Sequence, residues 1–173
     1  MRIRRATPED AKALADIYSY YVKETAISFE YDPPSCEEFR GRMEAIEKKG
    51  YPYLVALEDD RIIGYCYANI LKDREAYKYA CETTIYLDPN AKGNGAGRAL
   101  YESLEEELRA IGIKNLYACI GYPEVEDEYL TRNSADFHAH MGYRMVGVFK
   151  NCGRKFNRWY SMVWMEKIIG LYE

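Results

Sequence analysis

The chain of 173 residues lacks several features that would place it in other classes of protein. It has no run of basic residues, and its net charge of −4 does not favour a nucleic-acid partner. No apolar stretch is long enough to span a bilayer, and the opening Met-Arg-Ile-Arg-Arg is not followed by an apolar signal core. These absences predict a cytoplasmic protein without a membrane or nucleic-acid partner.

Disulfide and metal-finger patterns are also absent. The chain has five cysteines, an odd number, and no two of them have Cys-x-x-Cys or metal-finger spacing. Free thiols in a reducing compartment are therefore expected, and no metal site is predicted. The cysteines are Cys36, Cys66, Cys81, Cys119 and Cys152.

Interdomain linkers, internal repeats and low-complexity tracts are lacking as well. A length of 173 residues with 48% hydrophobic and 30% charged residues suits one globular domain, predicted to span 1–173. Segments of strand and helix periodicity follow one another in the order βααβββαβαββ. This order predicts an α/β (α+β) fold in which helices pack on a mixed sheet.

Capping signals and apolar stripes mark the helices. Thr7-Pro8-Glu9-Asp10 and Ser35-Cys36-Glu37-Glu38 each place an acid three residues after a hydroxyl, which predicts a helix start. A further helix is predicted over 96–111, with Glu102, Glu105 and Glu106 on its outer face. The core stripe of that helix is predicted to be Leu100, Leu104, Leu108 and Ile111.

A glycine-rich turn is the most informative stretch of the chain. A β-branched and aromatic run over 83–87 stops at Asp88-Pro89-Asn90, three alternate glycines follow, and a helical pattern begins near Arg98. A strand, a glycine turn and a helix start together expose unpaired backbone N–H groups to an anion, and Lys92 and Arg98 add positive charge. An ordinary tight connection is the plain alternative. The turn has neither the Gly-Lys-Ser/Thr ending of a P-loop nor the dinucleotide spacing, so a different phosphorylated ligand is indicated.

These residues resemble a known family. The stretch 92–97 resembles the Gln/Arg-x-x-Gly-x-Gly/Ala loop of GNAT N-acetyltransferases, and the predicted element order is similar to that fold along the whole chain. Further motifs resemble the phosphinothricin acetyltransferase group of that superfamily. They are Ser28-Phe29-Glu30, Tyr53-Leu54-Val55-Ala56, Arg74-x-x-Tyr77, Glu82-Thr83-Thr84-Ile85-Tyr86-Leu87 and Phe137-His138-x-x-Met141-Gly142-Tyr143.

The resemblance implies a fold, a cosubstrate and an assembly. It implies the GNAT fold, with a mixed, mostly antiparallel twisted sheet and helices on both faces. It also implies acetyl-CoA as cosubstrate, with its pyrophosphate on the glycine turn and its pantetheine arm lying along a strand, and a homodimer. The implied cofactor-binding residues are Ile85, Tyr86, Leu87, Lys92, Gly93, Asn94, Gly95, Ala96, Gly97, Arg98, Asn133 and Ser134.

Two side chains match catalytic positions of the family. Glu82 is the candidate general base, placed by the resemblance beside the acetyl group; a solvated or ion-paired strand glutamate is the alternative. His138 stands where many relatives have a tyrosine that protonates the CoA thiolate. It is a candidate acid or substrate-orienting group, and a purely structural hydrogen bond is the alternative.

Three side chains match the acceptor site of the phosphinothricin group: Phe29, Arg74 and Tyr77. Arg74 suits a carboxylate in bidentate geometry, so the implied acceptor is the α-amine of a small amino acid or analogue, of the phosphinothricin or methionine sulfoximine and sulfone type. Acetylation of a polyamine or a protein N-terminus is one alternative, although Arg74 argues against a polyamine. A non-catalytic acyl-CoA-binding module is the other.

Overall fold

The computed structural model describes residues 1–91 and 93–172, and within them it has the predicted order of elements. The helices are α1 (Ala11–Glu24), α2 (Cys36–Lys48), α3 (Ala96–Ala110) and α4 (Asn133–His140). The strands are β1 (Arg2–Arg5), β2 (Tyr53–Glu58), β3 (Arg61–Ile70), β4 (Ala80–Leu87), β5 (Asn115–Tyr122), β6 (Arg144–Lys155) and β7 (Arg158–Ile168). Short 3-10 turns at Pro8–Asp10 and Glu75–Tyr77 precede α1 and β4.

The strands form one mixed sheet in the order β1-β2-β3-β4-β5-β7-β6. Every neighbouring pair is antiparallel except β4 and β5, which run parallel because α3 connects them as a crossover helix. The prediction of a mixed, mostly antiparallel sheet is therefore confirmed. None of the helices in the described segments is both long and apolar enough to cross a membrane.

The parallel pair is incomplete, and this creates an opening in the sheet. Only Ala80–Glu82 of β4 pairs with Asn115–Tyr117 of β5, whereas the two strands continue to Leu87 and Tyr122. Beyond Glu82 the strands diverge, so the sheet has a V-shaped split whose apex lies at the last pair, Glu82 and Tyr117.

Helices cover both faces of the sheet, as predicted. On one face Tyr65 of β3 packs edge-on against Phe39 of α2, with ring centroids 6.0 Å apart. On the opposite face the neighbouring Cys66 directs its thiol at the Leu100 carbonyl oxygen of α3, at 3.5 Å. Successive strand residues point to opposite faces, so α1 and α2 share one side of the sheet while α3 and α4 share the other.

Local capping chemistry explains where the first two helices begin. The Ser35 hydroxyl accepts a hydrogen bond from the Glu38 N–H at 3.1 Å, the predicted cap of α2. At α1 the Thr7 N–H donates to Asp10 Oδ2 at 2.8 Å, and Arg4 Nη1 donates to the same oxygen at 2.7 Å. The Arg4 guanidinium holds the pKa of Asp10 below its usual value, so this corner is an ion pair at neutral pH.

The predicted pattern of α3 is right for three leucines and wrong at two positions. Leu100, Leu104 and Leu108 are fully buried. Ile111 was expected in the core but is 52% exposed, because the helix ends at Ala110 and the stripe ends with it. Glu105 was expected to face solvent but is buried, where Lys167 Nζ donates to it at 2.6 Å and Arg109 Nη2 at 3.0 Å. A cation from β7, distant in the sequence, makes that burial possible.

The cysteines are free thiols, as predicted. Cys66 and Cys81 are buried in the core, whereas Cys36, Cys119 and Cys152 are exposed. Residues 1–91 and 93–172 contain no cluster of three or more His, Cys, Asp or Glu side chains that could hold a metal ion.

Candidate active site

The split between β4 and β5 holds two adjoining cavities that together form a groove. One, of about 250 Å³, lies at the apex and is lined by Glu82, Thr83 and His138. The other, of about 370 Å³, lies at the wide end and is lined by Leu87 and Gly93. The two cavities share four lining residues, which makes the groove continuous from the glycine turn to the apex. The shared residues are Ile27, Ile85, Tyr86 and Ser134.

One wall of the groove is a strand edge without a partner. The Asp88 N–H donates to the Ile63 carbonyl of β3 at 2.8 Å, so by strand alternation the N–H groups of Leu87 and Ile85 face the β5 side. The ladder between β4 and β5 ends before these residues. The Leu87 carbonyl, which points the same way, accepts from the Tyr21 hydroxyl instead of from a strand. An extended ligand can therefore add to this edge as a strand would.

The glycine turn leads into α3 at the wide end of the groove. Gly93 and Gly95 have positive φ angles of +85° and +83°, a conformation that glycine adopts without strain. The Asn94 side chain accepts from the Ala96 N–H at 3.1 Å and so fixes the turn at the helix start. Unpaired N–H groups of the first helical turn and the positive end of the helix dipole meet here, which suits an anion.

Two basic residues, Lys92 and Arg98, flank this turn. Lys92, predicted to bind the cofactor, lies outside the described residues. Arg98 is described: its side chain is 63% exposed and lies 3.6 Å from Glu102 one turn along α3. Asn133 and Ser134, at the start of α4, line the wide cavity across from the glycine turn.

Glu82 lies at the apex of the split, on the face of the sheet covered by α1 and α2. It is half-buried, and no hydrogen bond to its carboxylate is found among the residues that the structure describes. Burial raises the pKa of this carboxyl above its usual value, and the positive charge of Lys72 opposes the rise in part. A carboxylate with a raised pKa and free oxygens is suited to accept a proton near neutral pH.

His138 lies on the opposite face of the split, in α4, and is 3% exposed. Its Nδ1 lies 2.7 Å from the Ser134 carbonyl oxygen, which only accepts, so Nδ1 carries the proton. Its Nε2 lies 2.9 Å from the Tyr101 hydroxyl and accepts from it. Burial lowers the pKa of His138 to about 4, so the imidazole is neutral at pH 7 and both of its nitrogens are occupied.

Two tyrosines beneath the split were not predicted. Tyr101 of α3 lines the apex cavity, and the Tyr143 hydroxyl lies 3.0 Å from Thr83 Oγ1. Both are buried beside His138, with ring centroids 5.4 Å and 5.1 Å from the imidazole. The sequence does hold a signal for Tyr101. It directly follows Leu100 and so lies off the leucine stripe of α3, yet a tyrosine is too apolar to be typical of the solvent-exposed face.

A third cavity, of about 550 Å³, opens on the Glu82 side of the sheet. Phe29 and Ser28 line it, together with Cys119, which also lines the apex cavity. The Phe29 ring lies directly on Gly153 of β6, where any side chain would collide with it. Lys155 Nζ donates to the Ser28 carbonyl at 2.6 Å and ties this loop to the same strand. The predicted acceptor residue Phe29 therefore lies on a wall of a cavity that adjoins the apex.

The other two predicted acceptor residues lie elsewhere. Arg74 and Tyr77 are exposed on the loop between β3 and β4 and line none of these three cavities. The loop nevertheless begins one residue after Ile70, which pairs with Cys81 next to Glu82. It therefore leaves the sheet at the apex of the split.

Comparison with known proteins assigns this site to a family. The acetyltransferase (GNAT) domain family matches residues 3–164. A phosphinothricin N-acetyltransferase of Streptomyces coelicolor is 35% identical over 171 residues, covering 96% of this chain and 95% of the relative. Another from Alcaligenes faecalis is 34% identical over 165 residues, covering 95% and 81%. The crystal structure of a phosphinothricin acetyltransferase from Sinorhizobium meliloti in complex with AcCoA superposes with a TM-score of 0.89 at 33% identity, covering 98% and 88%.

Members of this family use acetyl-CoA, and the groove has the features that such a ligand requires. The glycine turn and the start of α3 offer N–H groups to a pyrophosphate, and the free edge at Ile85 and Leu87 suits an amide-containing arm. The described residues thus fit acetyl-CoA. The chain belongs to the GNAT superfamily, in its phosphinothricin acetyltransferase-like group, and is an acetyl-CoA-dependent N-acetyltransferase.

Proposed function

We propose that the enzyme acetylates the α-amine of a small amino acid or analogue, of the phosphinothricin or methionine sulfoximine and sulfone type. The observation that carries the proposal is the position of Glu82. Its carboxyl group lies at the apex of the split, where the groove that fits acetyl-CoA adjoins the cavity beside Phe29. An amine entering from that cavity would meet the acetyl end of the groove beside a carboxylate.

Backbone N–H groups contribute more to acetyl-CoA binding than side chains do. The turn Gly93–Arg98 offers N–H groups to the pyrophosphate, and Ile85 and Leu87 offer theirs to the pantetheine arm and the thioester oxygen. Asn133 and Ser134 close the groove from α4. When bound, acetyl-CoA supplies an activated acetyl group; the residues of this chain position it and handle the protons.

Glu82 acts as the general base. An α-ammonium group cannot attack a thioester, and at neutral pH most of the substrate is protonated. Glu82 accepts that proton, directly or through one water. Burial raises its pKa, which strengthens it as a base, and the nearby positive charge of Lys72 opposes that rise in part.

His138 acts as a positioning residue rather than as the acid that protonates the thiolate. A general acid must carry a transferable proton, and the Nδ1 proton of His138 is donated to the Ser134 carbonyl. Its Nε2 has none to give, because the low pKa leaves the ring neutral. The geometry supports a role in holding the Tyr101 hydroxyl.

The acceptor carboxylate is bound by the loop between β3 and β4. Lys72 on this loop lies close enough to Glu82 to oppose the rise in its pKa, so the loop presents positive charge at the mouth of the site. Arg74, exposed on the same loop, can fold over a bound amino acid and pair with its carboxylate, with Tyr77 beside it. Phe29 packs against the acceptor from the opposite wall.

An amine panel tests this function. The purified enzyme is mixed with acetyl-CoA, and CoA release is measured with amino acids, with the same amines lacking a carboxylate, with polyamines and with peptide N-termini. Turnover confined to α-amino acids and their analogues supports the proposal. Faster turnover of polyamines or peptides would favour the first alternative, and acetyl-CoA binding without turnover of any amine would favour a non-catalytic module.

We also infer that the enzyme is a cytoplasmic homodimer. The family resemblance implies a dimer, and strand β6 is a sheet edge with exposed apolar side chains, among them Val148 (49% exposed) and Phe149 (55%). A second copy that covers this edge would bury these side chains. Light scattering should give a dimer that V148K disrupts, whereas V125K, at an 83% exposed valine elsewhere, leaves it intact. A monomeric wild type would contradict the inference.

Five free thiols support the inferred location in a reducing compartment, the cytoplasm.

A further inference from the structure

The apex cavity has a floor that the reaction described above does not use. Tyr101 is 1% exposed and His138 3% exposed, and both line this cavity from the face covered by α3 and α4. Glu82 lines it from the opposite face. The amine and Glu82 therefore lie on the α1 and α2 side of the split. The reaction leaves the α3 and α4 side, with Tyr101 and His138, without a role in proton transfer.

The direction of the groove determines where the acyl end of the ligand lies. A ligand with its pyrophosphate at Gly93–Gly97 and its arm along β4 brings its acyl end to the apex. The sheet is closed there by the pair of Glu82 and Tyr117, so a chain longer than acetyl cannot continue along the split. It has to turn away from the attacking amine, toward Thr83 and Tyr101.

Hydrogen bonds hold this floor in place. The Tyr101 hydroxyl donates to His138 Nε2 at 2.9 Å, and His138 Nδ1 donates to the Ser134 carbonyl at 2.7 Å. Thr83 Oγ1 lies 3.0 Å from the Tyr143 hydroxyl, and the Tyr101 and Tyr143 rings are stacked with centroids 6.0 Å apart. Displacing Tyr101 would leave a buried imidazole nitrogen without its donor, which is costly.

We propose that Tyr101 sets the length of the acyl group that this enzyme transfers, and that His138 is the positioning residue that holds the Tyr101 ring against the acyl end. The enzyme then selects acetyl over longer linear acyl groups at the apex cavity. The inference rests on the family's use of acetyl-CoA and is independent of which amine is acetylated.

The test replaces Tyr101 by a smaller apolar residue. For wild type and Y101L, Kd values for acetyl-CoA and butanoyl-CoA are measured by calorimetry without acceptor, and kcat/KM values with the best amine. A methylene group is worth roughly 10–200-fold in a fitted apolar pocket. We therefore expect Y101L to raise the butanoyl-to-acetyl ratio at least about tenfold, both for the association constants (1/Kd) and for kcat/KM.

Three further variants complete the test. Y160L removes a ring of β7 that is also buried but lines none of the three cavities, and should leave the ratio unchanged. H138L removes the hydrogen bond to Tyr101 and should raise the ratio by less than Y101L does. If Y101L does not fold, A118V replaces it: Ala118 lines the same cavity, and the added methyl groups should lower the ratio instead.

An unchanged ratio in folded Y101L or in A118V would overturn the proposal, and so would an equal rise in Y160L. The calorimetric arm contains no amine, so a failure of the proposed acceptor chemistry would leave it intact. A failure of acyl selection would show as unchanged calorimetric ratios beside normal turnover of amino acids.

Discussion

The Tyr101 hydroxyl donates its hydrogen bond to His138 Nε2 at 2.9 Å, across the interface between α3 and α4. This bond joins the helix that follows the glycine turn to the helix that closes the groove. Since the other ring nitrogen is bonded within α4, His138 presents no free N–H to the groove. We therefore propose different roles for the two candidate catalytic residues: Glu82 accepts a proton, and His138 holds the Tyr101 side chain in position.

Replacing Glu82 by glutamine should isolate its role as a base. Glutamine keeps the shape and cannot accept the ammonium proton, so kcat should fall by roughly 10²–10⁴-fold. Wild-type kcat/KM should rise with pH through the raised pKa of Glu82, because only the ionised carboxyl is active, and this limb should be absent in E82Q. The acetyl-CoA Kd should stay unchanged. The control is E58Q, an exposed glutamate at the end of β2; near-normal turnover of E82Q at pH 7 would contradict the assignment.

Replacing His138 should change the pH dependence of stability. The pKa of His138 is lowered from 6.5 to about 4 in the folded protein, so the unfolded chain binds a proton in this window and the folded protein does not. Stability is therefore lost as pH falls from about 6.5 toward about 4, by about 3 kcal/mol for this group. Urea unfolding at several pH values should show a flatter profile for H138L than for wild type. Parallel profiles would mean that His138 is protonated in the native state.

Replacing Gly95 should damage cofactor binding. Gly95 has a φ of +83°, so G95V would strain the turn and turn its N–H groups away from the pyrophosphate. We expect the acetyl-CoA Kd to rise at least about tenfold, the loss of one charge-assisted hydrogen bond. G50V is the matched control, because Gly50 has the same φ and the same open space around it but follows α2, away from the groove. Equal Kd values in the two folded variants would remove the turn from the site.

Replacing Arg74 should distinguish acceptors with and without a carboxylate. R74A should raise KM for amino acids by roughly tenfold or more, the worth of a charged hydrogen bond, and spare amines that lack the carboxylate. K78A, an exposed cation on the same loop, serves as control. Steady-state kinetics with matched amine pairs measure the difference. Equal losses for both kinds of amine would show that Arg74 does not bind the carboxylate.

The sequence by itself determined the features that depend on neighbours in the chain. The caps at Thr7 and Ser35, the leucine stripe of α3 and the glycine turn all follow from spacings of two to four residues. The family motifs, taken in order, also determined the fold, because this order of strands and helices is compatible with only a few sheet topologies.

Only the tertiary structure decided how distant residues meet. Glu105 is buried because Lys167 from β7 reaches it. His138 is neutral because burial between α3 and α4 lowers its pKa, against the opposing effect of its hydrogen bond to the Ser134 carbonyl. The pKa of Glu82 rises because the residue is partly buried at the apex of the split, where the pairing of β4 with β5 ends. Burial and charge pairing depend on contacts between segments that are distant in the sequence. Spacing rules along the chain therefore cannot predict them.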